Sequence, residues 1–213
     1  MKSDNKYTSK FIVLEGIDSA VLAEQAALLD DWLRSVDLTV VVTREPTDGP
    51  IGGQIRLGLS KRLELDDFTR AVLFLSDRLD HLNRPAGILE DLSNGKYVIC
   101  IRYILSAYAY QNRALSLEWL HKINRQCRWP DLVVFIDTPA GISLKRRVKQ
   151  EVYNPDLWNQ QILMLERQRD DYVKAIEYCQ QNGKLVSVVD GNQPPPTIHQ
   201  ICQGLVTRLG VEQ

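Results

Sequence analysis

The sequence predicts an α/β fold in which helices cover both faces of a doubly wound, five-stranded parallel sheet. Five short runs are rich in apolar and β-branched residues, and most positions in each run are apolar rather than alternating. This pattern is typical of parallel strands that are covered on both faces. Segments with helical periodicity separate the runs, and such alternation predicts parallel βαβ units. Ligands of these sheets bind beyond the carboxyl ends of the strands.

The elements follow one another along the chain with short connections. The predicted strands cover residues 10–16, 38–44, 96–102, 131–137 and 184–190. The predicted helices cover residues 21–35, 51–60, 65–93, 105–126, 139–150, 157–182 and 195–209. Pro85 should kink or interrupt the third helix, and Pro139 suits a first helical turn. Because no repeat or linker divides the chain, we expect residues 1–213 to form a single domain.

The amino-acid composition argues against some classes of binding partner as the main one. The 213 residues include 26 Lys and Arg and 27 Asp and Glu, so overall charge indicates neither a nucleic-acid nor a membrane partner. No apolar stretch approaches the roughly 20 residues of a membrane span, and the first residues lack the apolar core of a signal peptide. The four cysteines have no metal-site spacing and are expected to be reduced thiols. We therefore expect a cytoplasmic protein.

Polar motifs end the predicted strands. They are "EGID" (15–18), "TREP" (43–46), "IRYILSAYAYQ" (101–111) and "IDTP" (136–139), with "LFLSDR" (73–78) inside a helix. In this order and spacing, from about residue 10 to residue 148, the chain resembles the thymidylate kinase family of P-loop nucleoside monophosphate kinases. The resemblance implies a P-loop NTPase fold and transfer of phosphate from ATP to thymidine monophosphate (dTMP). It also implies a homodimer built on helices at 51–60, 65–84 and 105–126.

The phosphate-binding loop departs from the family pattern. Such a loop reads GxxxxGK[ST], because backbone amides surround the phosphates, the lysine neutralises them and the hydroxyl holds Mg²⁺. Thymidylate kinases typically carry "EGxDGxGKST", and in this chain only Gly16 remains of the phosphate cradle. The other positions have changed: Ser19 and Val21 stand for glycines, Leu22 for the lysine and Ala23 for the hydroxyl. The expected catalytic positions of the loop are therefore lost.

Two further donor-side features are missing. Ile101 stands where the family's "DRY" motif has an aspartate at the metal, and the lid segment near 149–160 offers only Lys149. Arg146 and Arg147, just before the lid, could replace its arginine in part. We expect no metal site and no cofactor; Mg²⁺ and ATP would be needed only if the chain is an active kinase.

The acceptor side keeps the residues through which the resemblance implies dTMP binding. They are Asp18, Arg44, Phe74, Arg78, Arg102, Ser106, Tyr110 and Gln111. The implied contacts are arginines to the phosphate, Phe74 stacked on the base, Arg78 and Ser106 at its polar edge, Tyr110 near the sugar and Asp18 near the 3′-hydroxyl.

Each motif also has a simpler interpretation. Residues 15–25 could form a strand-to-helix turn without a ligand, or retain weak anion binding at the helix N-terminus. Phe74 could belong to the core, and Arg44 or Arg102 could form ordinary salt bridges. The "IDTP" segment is read as a helix start, and Tyr172 as a core residue.

Three functions are consistent with this pattern. The preferred hypothesis is a catalytically inactive relative, a pseudokinase, that retains nucleoside monophosphate binding and regulates or contacts a protein partner. The alternative is an active dTMP kinase with a non-standard donor site. The third is a scaffold or assembly protein that binds no nucleotide. Fold alone does not choose among them.

Overall fold

A computed structural model describes residues 9–147 and 155–211. Its centre is a five-stranded parallel sheet in the order β2-β3-β1-β4-β5. The strands are β1 (Phe11–Glu15), β2 (Val40–Arg44), β3 (Tyr97–Ile101), β4 (Leu132–Asp137) and β5 (Ser187–Asp190). The doubly wound parallel sheet predicted from the sequence is confirmed.

Nine helices occur in the described part of the chain. They are α1 (Ser19–Ser35), α2 (Pro50–Leu59), α3 (Asp67–Asn83), α4 (Ile88–Ser93), α5 (Ile104–Gln111), α6 (Leu117–Asn124), α7 (Ala140–Arg147), α8 (Pro155–Gln181) and α9 (Pro195–Thr207). None of them combines the length and apolar character needed to cross a membrane.

Two apolar clusters cover the sheet, one on each face. Successive side chains of β1 point to opposite faces, so Phe11 and Val13 enter one cluster while Ile12 and Leu14 enter the other. Helices α3 to α8 supply the first cluster, and α1 and α9 supply the second. The central strand is therefore fully buried, and its carboxyl end is held rigidly from both sides.

The structure corrects predictions about three elements. Strands β2 and β5 are not covered on both faces, because they lie at the two edges of the sheet, with Val42 41% and Val188 56% exposed. The helix predicted over 105–126 is two helices, α5 and α6, because Ser116 starts a new helix by accepting a hydrogen bond from the Trp119 N–H.

Other boundaries follow the predictions. The helix predicted over 65–93 is interrupted around Pro85, between α3 and α4, as expected.

All four cysteines are free and buried. The predicted lid at 149–160 begins outside the described residues.

Candidate functional site

The turn after β1 retains its glycine for a packing reason. Gly16 has a φ of 156°, and a Cβ atom there would lie 2.7 Å from the Ile136 carbonyl oxygen of the neighbouring strand. Any larger residue would push β1 away from β4. The one glycine that survives from the phosphate-loop pattern is therefore required by the sheet itself.

The side chains that replace the loop's phosphate-binding groups lie in the core. Val21 and Leu22 are both buried, in the cluster between the sheet and helices α1 and α9. Leu22 also contributes the methyl group that approaches Gly16. An apolar side chain thus occupies the position at which the family pattern has a cation.

The carboxylate of Asp18 caps the N-terminus of α1. One carboxylate oxygen accepts hydrogen bonds from the N–H groups of Ala20 (3.1 Å) and Val21 (3.5 Å). The other accepts one from the Arg146 guanidinium at 3.2 Å. Asp18 is only 2% exposed. The helix amides that favour a bound anion are therefore satisfied by a side chain of the chain itself.

Arg102 is the centre of the second half of the site. Its backbone has a φ of 66°, in the left-handed region. Its guanidinium donates to three neutral hydroxyl oxygens: Ser19 Oγ at 3.1 Å, Tyr110 at 2.8 Å and Tyr172 at 3.2 Å. Burial opposes its charge, but the neighbouring Tyr172, Tyr110 and Glu15 raise the pKa of Arg102. Among the described residues no carboxylate forms an ion pair with it.

The carboxylate of Glu15 accepts hydrogen bonds from several residues next to Arg102. Its Oε1 accepts hydrogen bonds from the N–H groups of Tyr103 (2.8 Å) and Ser106 (3.1 Å). Its Oε2 accepts from the hydroxyls of Ser106 (2.5 Å) and Tyr172 (3.2 Å). Burial in the apolar core raises the pKa of Glu15, although the serine and Arg102 partly offset this. The carboxylate therefore joins β1, α5 and α8 at one point.

Arg78 is held inside the protein. It is 1% exposed, donates to Asn124 Oδ1 (2.6 Å) and the Tyr103 carbonyl (3.1 Å), and pairs with the Glu45 carboxylate at 2.7 Å. Its Nε is buried and has no hydrogen-bond partner among the described residues. These contacts stabilise the strand ends, and contact with the edge of a base remains a prediction for this residue.

The remaining predicted residues lie around this centre. Arg44 is exposed and pairs with Asp48 at 3.0 Å, at the end of β2 in register with Ile101. Phe74 is half-buried on α3, and Gln111 is buried at the end of α5. The structure therefore joins Ser19, Arg102, Ser106 and Tyr110 in one hydrogen-bonded group, while Arg44 and Arg78 have partners of their own.

Two residues of α8 make contacts that the sequence does not predict. The ring of Tyr172 is buried, as expected for a core residue, but its hydroxyl reaches both Glu15 and Arg102. Arg169 pairs with both carboxylate oxygens of Asp137, at 2.5 and 2.7 Å, beside the start of α7. Helical periodicity predicts that Tyr172 faces the core. It does not predict which residues, distant in sequence, its hydroxyl contacts.

The donor side does not fit Mg²⁺ and ATP in the family's usual manner. The side chains of Ala23 and Ile101 carry no oxygen that could coordinate a metal, and Leu22 is buried. Within residues 9–147 and 155–211, no group of three or more His, Cys, Asp or Glu side chains could hold a metal ion.

Comparison with known proteins identifies the family. The family model described as thymidylate kinase matches residues 14–200. A probable thymidylate kinase of Thermococcus kodakarensis is 36% identical over 217 residues, covering 95% of this chain and 100% of the relative. A thymidylate kinase of Thermomicrobium roseum is 33% identical over 209 residues, covering 94% and 96%. The fold is similar to the crystal structure of thymidylate kinase from Ehrlichia chaffeensis, with a TM-score of 0.70 and 22% identity over 94% of this chain and 100% of that one. The chain therefore belongs to the thymidylate kinase family.

Proposed function

We propose that this chain binds dTMP through the group of residues around Arg102. The observation that carries the proposal is that Arg102 is a cation held by hydroxyl groups, with no carboxylate partner in the described part of the chain. Arginine in such an arrangement is suited to a phosphate, which it can bind with two parallel hydrogen bonds. Family membership supports dTMP as the nucleotide.

We further propose that this binding occurs without phosphoryl transfer, and that dTMP occupancy is read by a protein partner. Phosphoryl transfer depends on positioning and on charge stabilisation around the phosphates. Here the buried Leu22 offers no charge at the lysine position of the loop, and Ala23 offers no side-chain hydroxyl. Removal of one charge-stabilising group typically costs about 3 kcal/mol in a transition state, and several are absent together.

The second candidate function is transfer of phosphate from ATP to dTMP. The comparisons favour it, because relatives that match nearly the whole chain are named thymidylate kinase, and they lend no support to an inactive protein. In that case Arg102 and Arg146, the cations next to the loop, would have to replace the missing lysine. This role requires Arg146 to leave Asp18.

The two candidates are separated by a turnover assay combined with a binding measurement. Purified protein is incubated with dTMP, ATP and Mg²⁺, and dTDP is quantified by ion-exchange chromatography, with Arg102→Ala prepared identically to control for contaminating kinases. The proposal expects dTMP binding and no dTDP above the level of the Arg102→Ala preparation. Formation of dTDP by the unsubstituted protein alone would establish the second candidate. Neither binding nor turnover would indicate a scaffold that binds no nucleotide.

A further inference from the structure

The three hydroxyl groups around Arg102 form a defined unit, which we call the hydroxyl clamp: Ser19, Tyr110 and Tyr172. They come from three different helices, α1, α5 and α8, that converge at the carboxyl end of the sheet. Each contact is within 3.2 Å. A long side chain that could adopt many rotamers is thus fixed by contacts far apart in sequence.

The clamp leaves part of the hydrogen-bonding capacity of Arg102 unused. A guanidinium has five N–H groups, and the three contacts to hydroxyls leave two of them, the number that a bidentate phosphate contact uses. Because the clamp residues are neutral, they hold the guanidinium without cancelling its charge. A carboxylate in the same place would compete with a phosphate for the cation.

Tyr172 is the anchor of the clamp. Its ring is fully buried and packs against Phe135 with 5.0 Å between ring centroids. Its hydroxyl lies 3.2 Å from a carboxylate oxygen of Glu15 and 2.8 Å from Ser106 Oγ. A guanidinium can only donate, so the Tyr172 oxygen accepts from Arg102. Glu15 and Ser106 lie within hydrogen-bond distance of the same hydroxyl and hold it in place.

Ser19 links Arg102 to the altered loop. The family pattern has a glycine at this position, which offers no side-chain oxygen, whereas Ser19 Oγ accepts from Arg102 Nη2 at 3.1 Å. Ser19 therefore replaces a glycine of the phosphate loop and also binds Arg102 in the other half of the site.

We infer that Ser19 and Tyr172 are positioning residues that orient Arg102 toward the phosphate of a nucleoside monophosphate. The inference rests on the proposed function for the identity of the ligand. Neither residue contacts the ligand. Ser19 acts through the guanidinium, and Tyr172 acts through the guanidinium and also contacts Ser106. Their main contribution is therefore to the part of the affinity that the phosphate provides.

The test compares dTMP with thymidine, which lacks the phosphate, by isothermal titration calorimetry. Ser19→Ala and Tyr172→Phe each remove one hydroxyl and keep the surrounding packing. Each is expected to weaken dTMP binding about tenfold, in line with loss of a hydrogen bond to a charged group, and to weaken thymidine binding by much less. Tyr178→Phe is the matched control, because Tyr178 lies on the same helix and packs through its ring against Tyr108 and His121.

A second measurement examines the clamp without any ligand. In ¹⁵N NMR spectra of the free protein, a clamped guanidinium gives resolved Nη resonances because its rotation is hindered, and Arg102→Lys identifies those of Arg102. They are expected in the unsubstituted protein and in Tyr178→Phe, and are expected to broaden in Ser19→Ala and Tyr172→Phe.

The outcomes separate the two proposals. If the unsubstituted protein binds neither dTMP nor thymidine, the proposed function fails, and the NMR spectra alone decide whether the clamp exists. Equal losses for dTMP and thymidine, unchanged dTMP affinity in both variants, or Nη resonances unaffected by either substitution would overturn the inference.

Discussion

Arg102 combines the central side chain of the candidate site with an unfavourable backbone conformation. Its φ of 66° lies in the left-handed region, which non-glycine residues seldom adopt. The backbone N–H donates to the Leu14 carbonyl at 2.9 Å, so the conformation is imposed where β3 meets β1. Strained residues of this kind cluster at functional sites.

The strain at Arg102 predicts a difference between two truncations. Arg102→Gly and Arg102→Ala remove the same guanidinium contacts, but only glycine adopts a positive φ without cost. We expect the glycine variant to have a free energy of unfolding about 1 kcal/mol higher than the alanine variant, measured by urea denaturation. Equal stability of the two variants would show that the backbone at this position is unstrained.

The buried Glu15 predicts a specific pH dependence. Burial raises the pKa of its carboxyl above the ordinary value of 4.5, so the folded protein binds this proton more tightly than the unfolded chain does. The contribution of Glu15 to stability is therefore largest at low pH and declines as pH rises from about 4.5 toward the folded-state pKa. In Glu15→Gln this decline is absent.

The measurement is urea denaturation of both proteins at several pH values between about 4 and 8. The free energy of unfolding of the unsubstituted protein, minus that of Glu15→Gln, should fall as pH rises. Glu177→Gln, an exposed position on α8, is the control and should show no such trend. A difference that rises with pH would mean that the hydrogen bonds to Glu15 outweigh its burial.

At the scale of elements, the start of α1 decides what the altered loop can bind. In a phosphate loop the first amides of this helix face the ligand. Here they face Asp18, which is itself paired with Arg146 of α7. These contacts stabilise the start of α1 and join it to α7.

Two substitutions of Asp18 separate its capping role from its ion pair. Asparagine caps helices as well as aspartate but has no charge for Arg146, whereas alanine lacks both functions. We expect Asp18→Ala to lower the free energy of unfolding by about 1–2 kcal/mol, and Asp18→Asn to lower it by less than half of that amount. Denaturation with urea gives both values.

A matched control is available at α3, whose N-cap Asp66 accepts from the N–H and the hydroxyl of Thr69 and forms no ion pair among the described residues. The difference in stability between Asp66→Ala and Asp66→Asn therefore measures capping without an ion pair. If Asp18→Asn proved as damaging as Asp18→Ala, the ion pair with Arg146 rather than the cap would account for the stability.

The sequence predicts elements well where local periodicity determines them. The strands and most helices lie where predicted, because burial on a sheet or helix face imposes a repeating pattern. The break between α5 and α6 was missed, because the cap at Ser116 interrupts a segment that stays apolar on one face. The sequence does not reveal the exposure of β2 and β5, because their positions at the sheet edges depend on strand order, which no single strand encodes.

The site was predictable only in part, for a related reason. Arg102, Ser106 and Tyr110 follow β3, and parallel strands bring such residues to one edge of the sheet. Tyr172 reaches Arg102 from 70 residues further along the chain. That contact depends on how α8 crosses the sheet, and the surrounding sequence resembles any core helix.

At the scale of the whole molecule, the apolar surface of α2 and α3 predicts a homodimer. Phe68 is 59% exposed and Val72 is 47% exposed, one helical turn apart, with Leu59 57% exposed at the end of α2. Large exposed apolar patches mark interaction surfaces. Phe68→Glu combined with Val72→Glu is expected to convert a dimer into a monomer, measured by sedimentation equilibrium.

Leu185→Glu is the control for the dimer. Leu185 is 85% exposed and precedes β5, at the opposite edge of the sheet from β2. Its replacement should leave the measured mass at that of two chains. A monomer in the unsubstituted protein, or dissociation only in Leu185→Glu, would contradict an interface on α2 and α3.

The central claim is that this member of the thymidylate kinase family binds dTMP at Arg102, and calorimetric titration of the purified protein with dTMP tests it most directly. The account predicts saturable binding that Arg102→Ala weakens at least tenfold, because the phosphate loses its charged partner. An absence of binding, or equal affinity in the two proteins, would contradict it.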